Sequence, residues 1–341
     1  MSAERVAAAV EAAAARRLAS ADPLLPARSP PEQAFSGPSA DPSACEALFT
    51  VSRTGPETDA GTGRELVAVA RCAHWTGAPG SLDLVWGASR RFTLIPEIAG
   101  PDVAGALDRL IGQWRDHLAS VPGAGDADTA TVINWPSRDI GGLNVMLNRG
   151  LTPLNVIAAR KSRPAAKSGL DRPEGLSIQR ATAADIDVLT DLGLGEISYD
   201  AHFGGVIERR HARPALRSYL ADLLAGPRPW VWVAERTGKP LGLLAAEPPS
   251  TATWIAPLTS LSPVAYLMSA YVEEAERGTG IGRALTEEFH RAAEAEGVAV
   301  VLLHYELFNP RSGPFWSQQG YRPLWTGLEA RPASRLIGHS A

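Results

Sequence analysis

Residues 274–287, EAERGTGIGRALTE, hold three closely spaced glycines flanked by two arginines, a composition suited to binding an anion. Gly278, Gly280 and Gly282 fall within five residues, after the strand-like run 264–272 and before a helix-forming sequence. Glycines let the backbone turn tightly and aim successive N–H groups one way. Where such a loop opens a helix, the first-turn amides lack intrahelical partners and the dipole favours negative charge. A phosphate is the expected guest. A Walker loop would need Lys and then Ser or Thr after its last glycine, where this chain has Arg283 and Ala284. The dinucleotide fingerprint would need two residues between its second and third glycines, and Ile281 alone separates Gly280 from Gly282. A helix start that uses its glycines only for a tight turn stays open at this point.

The rest of the chain must position that loop. With 341 residues, 45% hydrophobic and 21% charged, there is material for two soluble domains. A net charge of −4 gives no basic surplus for nucleic acid or an anionic membrane. Cys45 and Cys72 fall in no metal-ligand pattern, so thiols in a reducing cytosol and no metal are expected. No apolar run reaches the roughly 18 residues of a membrane helix, and the Ala-rich start carries Glu4, Glu11, Arg16 and Arg17. A cytoplasmic protein is expected, as monomer or homodimer.

Residues 1–45 read as an Ala-rich helix that could pack or fray, followed by an irregular connector. LFTVSR, ELVAVARCAHW and LDLVWG suggest successive strands, and 102–120 has one apolar face of helical period. A strand at 129–135, a helix near 139–148 and a strand at 152–160 complete a first half, 46–160. The stretch 161–175 reads as a linker, with a second unit over 176–333. There LSIQRA is a strand, Thr182 caps a helix, and a further helix spans about 209–224. A hairpin at 230–246, a strand at 264–273, the glycine loop and its helix, a strand at 298–305, a short helix at 312–319 and a last strand at 321–329 follow.

In that order the unit 176–331 resembles the GNAT N-acetyltransferase superfamily. Its loop pattern is met by Arg277, Gly280 and Gly282, and its later signature by Asn309, Phe315, Trp316, Gly320 and Tyr321. The resemblance implies a mixed α+β fold, a central mostly antiparallel sheet flanked by helices with strands 4 and 5 splayed. It also implies acetyl-CoA as co-substrate, without a metal. The pyrophosphate would lie on the amides of Gly278, Thr279, Gly280, Ile281, Gly282 and Arg283 with the cation of Arg277 or Arg283. The pantetheine would lie between the strands ending at Tyr271, Val272 and Tyr305, beside Asn309, Ser312 and Trp316. In many members the second residue of the aromatic pair is a Tyr that protonates the departing thiolate. Here it is Trp316, whose indole N–H donates no proton at neutral pH. His304 or Glu273 is expected as general base, with Tyr305 and Tyr321 as nearby proton carriers. A strand-end His that satisfies a carbonyl and a solvated Glu273 are the bland readings that remain open. Acceptor contacts are expected from 192–213 and 248–262, among them Tyr199, Asp200, His202, Phe203, Glu208 and Trp254.

A repeat links the halves. GLTPLNVIAAR from Gly150 echoes GYRPLWTGLEAR from Gly320, and that offset sets Asp139 on Asn309. The first half therefore resembles a degenerate second GNAT unit. Aligned on the helices, Asp102 replaces Gly280 and Pro101 removes an amide donor, so no acetyl-CoA is expected there. Two function classes follow: an enzyme acetylating a primary amine of a small polar molecule, with a protein or peptide amine as variant, or a non-catalytic acyl-CoA-binding regulator.

Overall fold

The structure is a computed structural model that describes residues 3–31, 33–36, 45–54, 64–162, 172–226 and 228–338. A leader helix α1 (Ala3–Ala21) and a short α2 (Gln33–Ser36) precede β1 (Cys45–Thr54), β2 (Arg64–Thr76), β3 (Arg90–Ile98), α3 (Val103–Leu118), β4 (Thr129–Pro136), α4 (Ile140–Asn148) and β5 (Thr152–Lys161). The second half runs β6 (Leu176–Arg180), α5 (Ile186–Asp200), α6 (Ala212–Leu224), β7 (Val231–Arg236), β8 (Lys239–Glu247), β9 (Val264–Val272), α7 (Ile281–Ala295), β10 (Val300–Glu306), α8 (Ser312–Gln318) and β11 (Arg322–Ala330), with α9 (Ser334–Ile337) last. Among the described residues, no helix is long and apolar enough to cross a membrane.

Local chemistry accounts for these elements. Leu107, Leu110, Trp114 and Leu118 stand on one face of α3 and are fully buried against β1, β2 and β3. Each such side chain stabilises the fold by about 1.5–3 kcal/mol. Thr182 and Asp185 form a capping box at the turn that leads into α5.

The strands join in one mixed, mostly antiparallel sheet in the order β1-β2-β3-β4-β11-β5-β10-β9-β8-β7-β6. The last strand of each half is thus laid against the penultimate strand of the other. The offset that carries Gly150 onto Gly320 also carries Val156 onto Thr326, its own antiparallel partner. The same offset carries the Asn155–Glu306 pair onto Trp325–Pro136. The sequence repeat is therefore a structural pseudo-dyad through the centre of the sheet. It also means that a chain ending near Arg160 would leave β4 and β5 with β11 missing between them.

The leader packs down on this sheet. Val10, Ala14 and Leu18 are buried, the Arg17 guanidinium lies 5.1 Å from the Trp135 ring centre, and Arg17 pairs with Asp139. Asp22 is buried under Arg322, whose Nη2 donates to its Oδ1 at 2.7 Å.

Three expectations change. LDLVWG is a 3-10 turn, Leu82–Leu84, and a loop, because its apolar residues dock on the other half: Val85 joins the α5/α6 core and accepts from Ile207 N at 2.8 Å. The strand β3, with buried Phe92 and Leu94, was hidden by its Arg90, Arg91 and Glu97. The linker begins inside β5, and 163–171 lies outside the described residues, as does the side chain of Cys45.

Arg209 fastens the halves. It grips Asp128 through Nη1–Oδ2 at 2.8 Å and Nη2–Oδ1 at 2.9 Å, and donates to the carbonyls of Leu84 and Gly87. The fork holds Asp128 down at about 2. A carboxyl held below its unfolded value of about 3.9 contributes stability above that value and loses it as pH falls toward 2. Arg209→Met is expected to lower the melting temperature by about 2–4 °C at pH 7, taking roughly 1–2 kcal/mol for charged hydrogen bonds that are partly solvated. The gap to wild type should close toward pH 2, as thermal melts over pH would reveal.

Candidate active site

The glycine loop opens α7 with Gly278 at φ +83° and Gly280, the residue before the first helical turn, at φ +92°. Both values lie in the left-handed region that glycine occupies without strain. No side chain caps α7, so its first-turn amides face outward unsatisfied. At the corresponding place on α3 the Asp102 carboxylate accepts from Gly105 N at 2.8 Å. One helix start is open to an anion, and the other is closed by its own carboxylate.

Beside α7 the sheet splits. β9 and β10 pair in parallel only over Val264–Leu303, the last partners being Leu267 and Leu303, yet β9 continues to Val272 and β10 to Glu306. Met268 is the extra residue of a bulge in β9 at the point of separation. The freed Ala270 N–H is taken by Glu196 Oε1 of α5 at 3.2 Å, and Ser269 Oγ bonds the same carboxylate. The equivalent split between β3 and β4, after Thr93 and Val132, is covered by α1, with Ala14, Arg17 and Leu18 against it.

The β9–β10 split opens into a cavity of about 180 Å3 between the two halves. Asp83, Glu196, Asp200, Glu247, Glu306 and Glu329 line it, against Arg91 as its lining cation. Burial pushes Glu196 up to about 7, with Asp200 adding repulsion. Burial likewise lifts Asp200 to about 6, against the hydrogen bond from Asn309 Nδ2 at 2.8 Å. Glu306 rises to about 8 through burial and the charges of Asp200 and Glu329. Glu247 is raised by burial, while Tyr219 Oη and Trp254 Nε1 (2.9 Å) hold its two oxygens. Such displaced carboxyls in one concavity mark a place where protons are handled.

Residues 198–321, from the end of α5 past α8, match the model of the acetyltransferase (GNAT) family. The chain carries a GNAT acetyltransferase domain. The match leaves the N-terminal half outside it. No curated protein matches the chain. Among solved structures the chain is similar to a GCN5-related N-acetyltransferase from Sphaerobacter thermophilus at 14% identity, over 79% of this chain and 78% of that one, with a TM-score of 0.48. It is similar to a tandem GNAT protein from the clavulanic acid biosynthesis pathway at 15% identity, over 88% and 91%, with a TM-score of 0.43. PaiA N-acetyltransferase from Thermoplasma acidophilum, in complex with coenzyme A, is similar at 12% identity over 46% and 98%, with a TM-score of 0.35.

Within the GNAT domain the expected site residues divide. Gly278, Thr279, Gly280, Ile281, Gly282 and Arg283 form the loop and first turn of α7 as anticipated, although Ile281 is buried in the core and Arg283 pairs with Glu287 at 3.0 Å. Arg277 turns inward: its guanidinium lies 4.3 Å from the Tyr199 ring centre and 5.4 Å from that of Tyr271, and its Nε donates to the Val272 carbonyl at 3.1 Å. Among the described residues its buried Nη1 has no hydrogen-bond partner. Asn309 is committed to Asp200 and, through Oδ1, to the N–H groups of Arg311 and Ser312, so it organises the start of α8. Trp316 is buried against Tyr321, its ring centre 5.4 Å away.

The expected proton carriers fare differently. His304 lines the cavity, but burial lowers it to about 4 and Tyr266 Oη engages its Nδ1 at 3.0 Å, so it is a neutral wall near pH 7. Glu273 stands at the end of β9 beside the loop, outside the cavity lining. Tyr321 is a core residue bonded to His290 Nε2 at 2.9 Å, because its ring packs inward behind Trp316. Of the acceptor candidates, Trp254 and Asp200 line the cavity. Tyr199 and Phe203 pack on each other instead, and exposed His202 bonds the Ser198 carbonyl at 2.9 Å. Glu196, Glu247 and Glu306 were not anticipated. The local signals were Glu196 and Asp200 at i,i+4 on α5, and single glutamates ending the apolar strands β8 and β10.

Proposed function

We propose that the chain transfers acetyl from acetyl-CoA to a primary amine of a small polar molecule by direct attack within a ternary complex. The observation that carries this is the split between β9 and β10, with the carboxylate-lined cavity beside it and the uncapped start of α7 following the far end of β9. The cofactor fits these residues: the bare glycine amides would take the pyrophosphate, and buried Arg277 Nη1 is a donor without an acceptor among the described residues. The amine would sit by Glu196, which takes the ammonium proton. Nitrogen then bonds the acetyl carbon as the C–S bond breaks, and the second proton that nitrogen sheds ends on the departing thiolate. We assign the relay of that proton to Tyr305, supported by its position in the cavity lining. Positioning and a general base of value near 7 account for most of the rate.

In this reading 176–333 performs the transfer and 46–160 builds the acceptor site without binding acetyl-CoA. The cavity volume of about 180 Å3, lined also by Leu82, Asp83 and Trp86 of the N-terminal half, favours a small acceptor over a protein tail. Release of CoA thiol from acetyl-CoA over a panel of amines tests the proposal. Turnover on at least one small primary amine is expected. Tight acetyl-CoA binding with no turnover on any amine would favour the regulatory class.

A further inference from the structure

Resting on that reading of the cavity, we infer that the acceptor is a small molecule with at least two ammonium groups, one presented at the β9–β10 split and a second held by Glu247. The lining supplies the reason. Glu196 is bonded by a hydroxyl and a backbone amide, Asp200 by an amide side chain, and Glu247 by a phenol and an indole. All of these partners are neutral. A carboxylate withdrawn from water without a cation is costly, and a fold built for stability alone would not leave Glu196 and Glu247 in that state. Glu329 is paired with Arg331 at 2.6 Å, Arg331 also acts on Glu306 and Arg277 on Asp200, whereas Glu196 and Glu247 are the two that hydrogen bonds from neutral groups hold.

The carboxylates form two groups. Glu196, Asp200 and Glu306 act on one another at the split. Glu247 lies across Tyr266, which feels both Glu247 and Glu196. Around Glu247 the walls are aromatic: Tyr219 and Trp254 hold it, and Trp254 meets Tyr266 edge to face at 5.0 Å. A buried carboxylate set among aromatic side chains is a receptor for an alkylammonium, since cation–π attraction adds to the ion pair. About 180 Å3 of space corresponds to on the order of a dozen water positions, enough for a short chain with nitrogens at both ends. The N-terminal half also lines the cavity with the neutral Thr93, Asn134 and Asn155. Acetylation removes one charge from the acceptor, so the product is held less tightly than the substrate and leaves.

The test compares 1-aminobutane, 4-amino-1-butanol and 1,4-diaminobutane as acceptors for the full chain, with thiol release as readout. The diamine is expected to have a kcat/KM at least about 50-fold above either monoamine, carried mainly by KM, and Glu247→Gln is expected to shrink that ratio about tenfold or more. Equal values for the diamine and the monoamines would overturn the inference while leaving the acetyltransferase reading intact. Should no amine turn over, that reading falls instead, and calorimetry decides the present one. Binding of 1,4-diaminobutane about tenfold tighter than 1-aminobutane supports the dicationic site, and equal binding overturns it.

Discussion

Gly280→Asp is expected to weaken acetyl-CoA binding by about 100-fold, equivalent to roughly 2.7 kcal/mol. The N-terminal half already contains this substitution in natural form. Asp102 stands at the aligned position and its carboxylate occupies the amide of Gly105, the place an anion would take on α7. In the variant a fixed negative charge would compete with the pyrophosphate for the same first-turn N–H groups and repel it. The backbone cost is smaller, about 1 kcal/mol for placing Asp at the φ of +92° that Gly280 adopts. Gly280→Asn separates the effects, because it caps without the charge, and its loss of affinity should be well below that of Gly280→Asp. The reverse exchange, Asp102→Gly, is expected to create no second site, since α1 covers the β3–β4 split and Pro101 lacks an N–H. Titration calorimetry with acetyl-CoA, alongside circular dichroism to verify the fold, measures all three.

Glu196→Gln should lower kcat by about 10²–10⁴-fold, the range for removing a general base. Glutamine keeps the shape and can still accept from the Ala270 N–H, so the folded geometry has a near-isosteric substitute. The pH dependence separates proton transfer from mere positioning. With Glu196 raised to about 7 by burial, the group is protonated and idle below that value and ionised above it. Wild-type kcat should therefore rise with pH through about 7, and the residual kcat of the variant should lose that limb. A variant that kept both the limb and the rate would transfer the role to Glu306, raised to about 8 in the same cavity. His304 offers no such alternative, since a group lowered to about 4 is already neutral across this range and its Nδ1 is engaged.

Much of the framework was legible in the chain because it is written locally. The apolar face of α3, the capping box before α5 and the glycine loop each depend on neighbours a few residues apart. The echo between Gly150 and Gly320 even located the pseudo-dyad, although not the exchange of β5 and β11 across it, which depends on which strand of the other half is nearer. The acceptor cavity was far less legible. Its carboxylates come from α5, β8, β10 and β11 and meet only after the halves close. The alternation in LDLVWG looked like a strand because the same apolar residues that would cover a sheet instead cover α5 and α6. Arg277 matched the loop pattern by identity, yet Tyr199 and Tyr271 hold its guanidinium inward.

The central claim is a single acetyl-CoA site per chain, at the start of α7 and open to the carboxylate cavity. Calorimetric titration of the full chain with acetyl-CoA tests it most directly. One site per chain, lost in Gly280→Asp, is expected; two sites per chain, or one that survives the substitution unchanged, would rule out this placement.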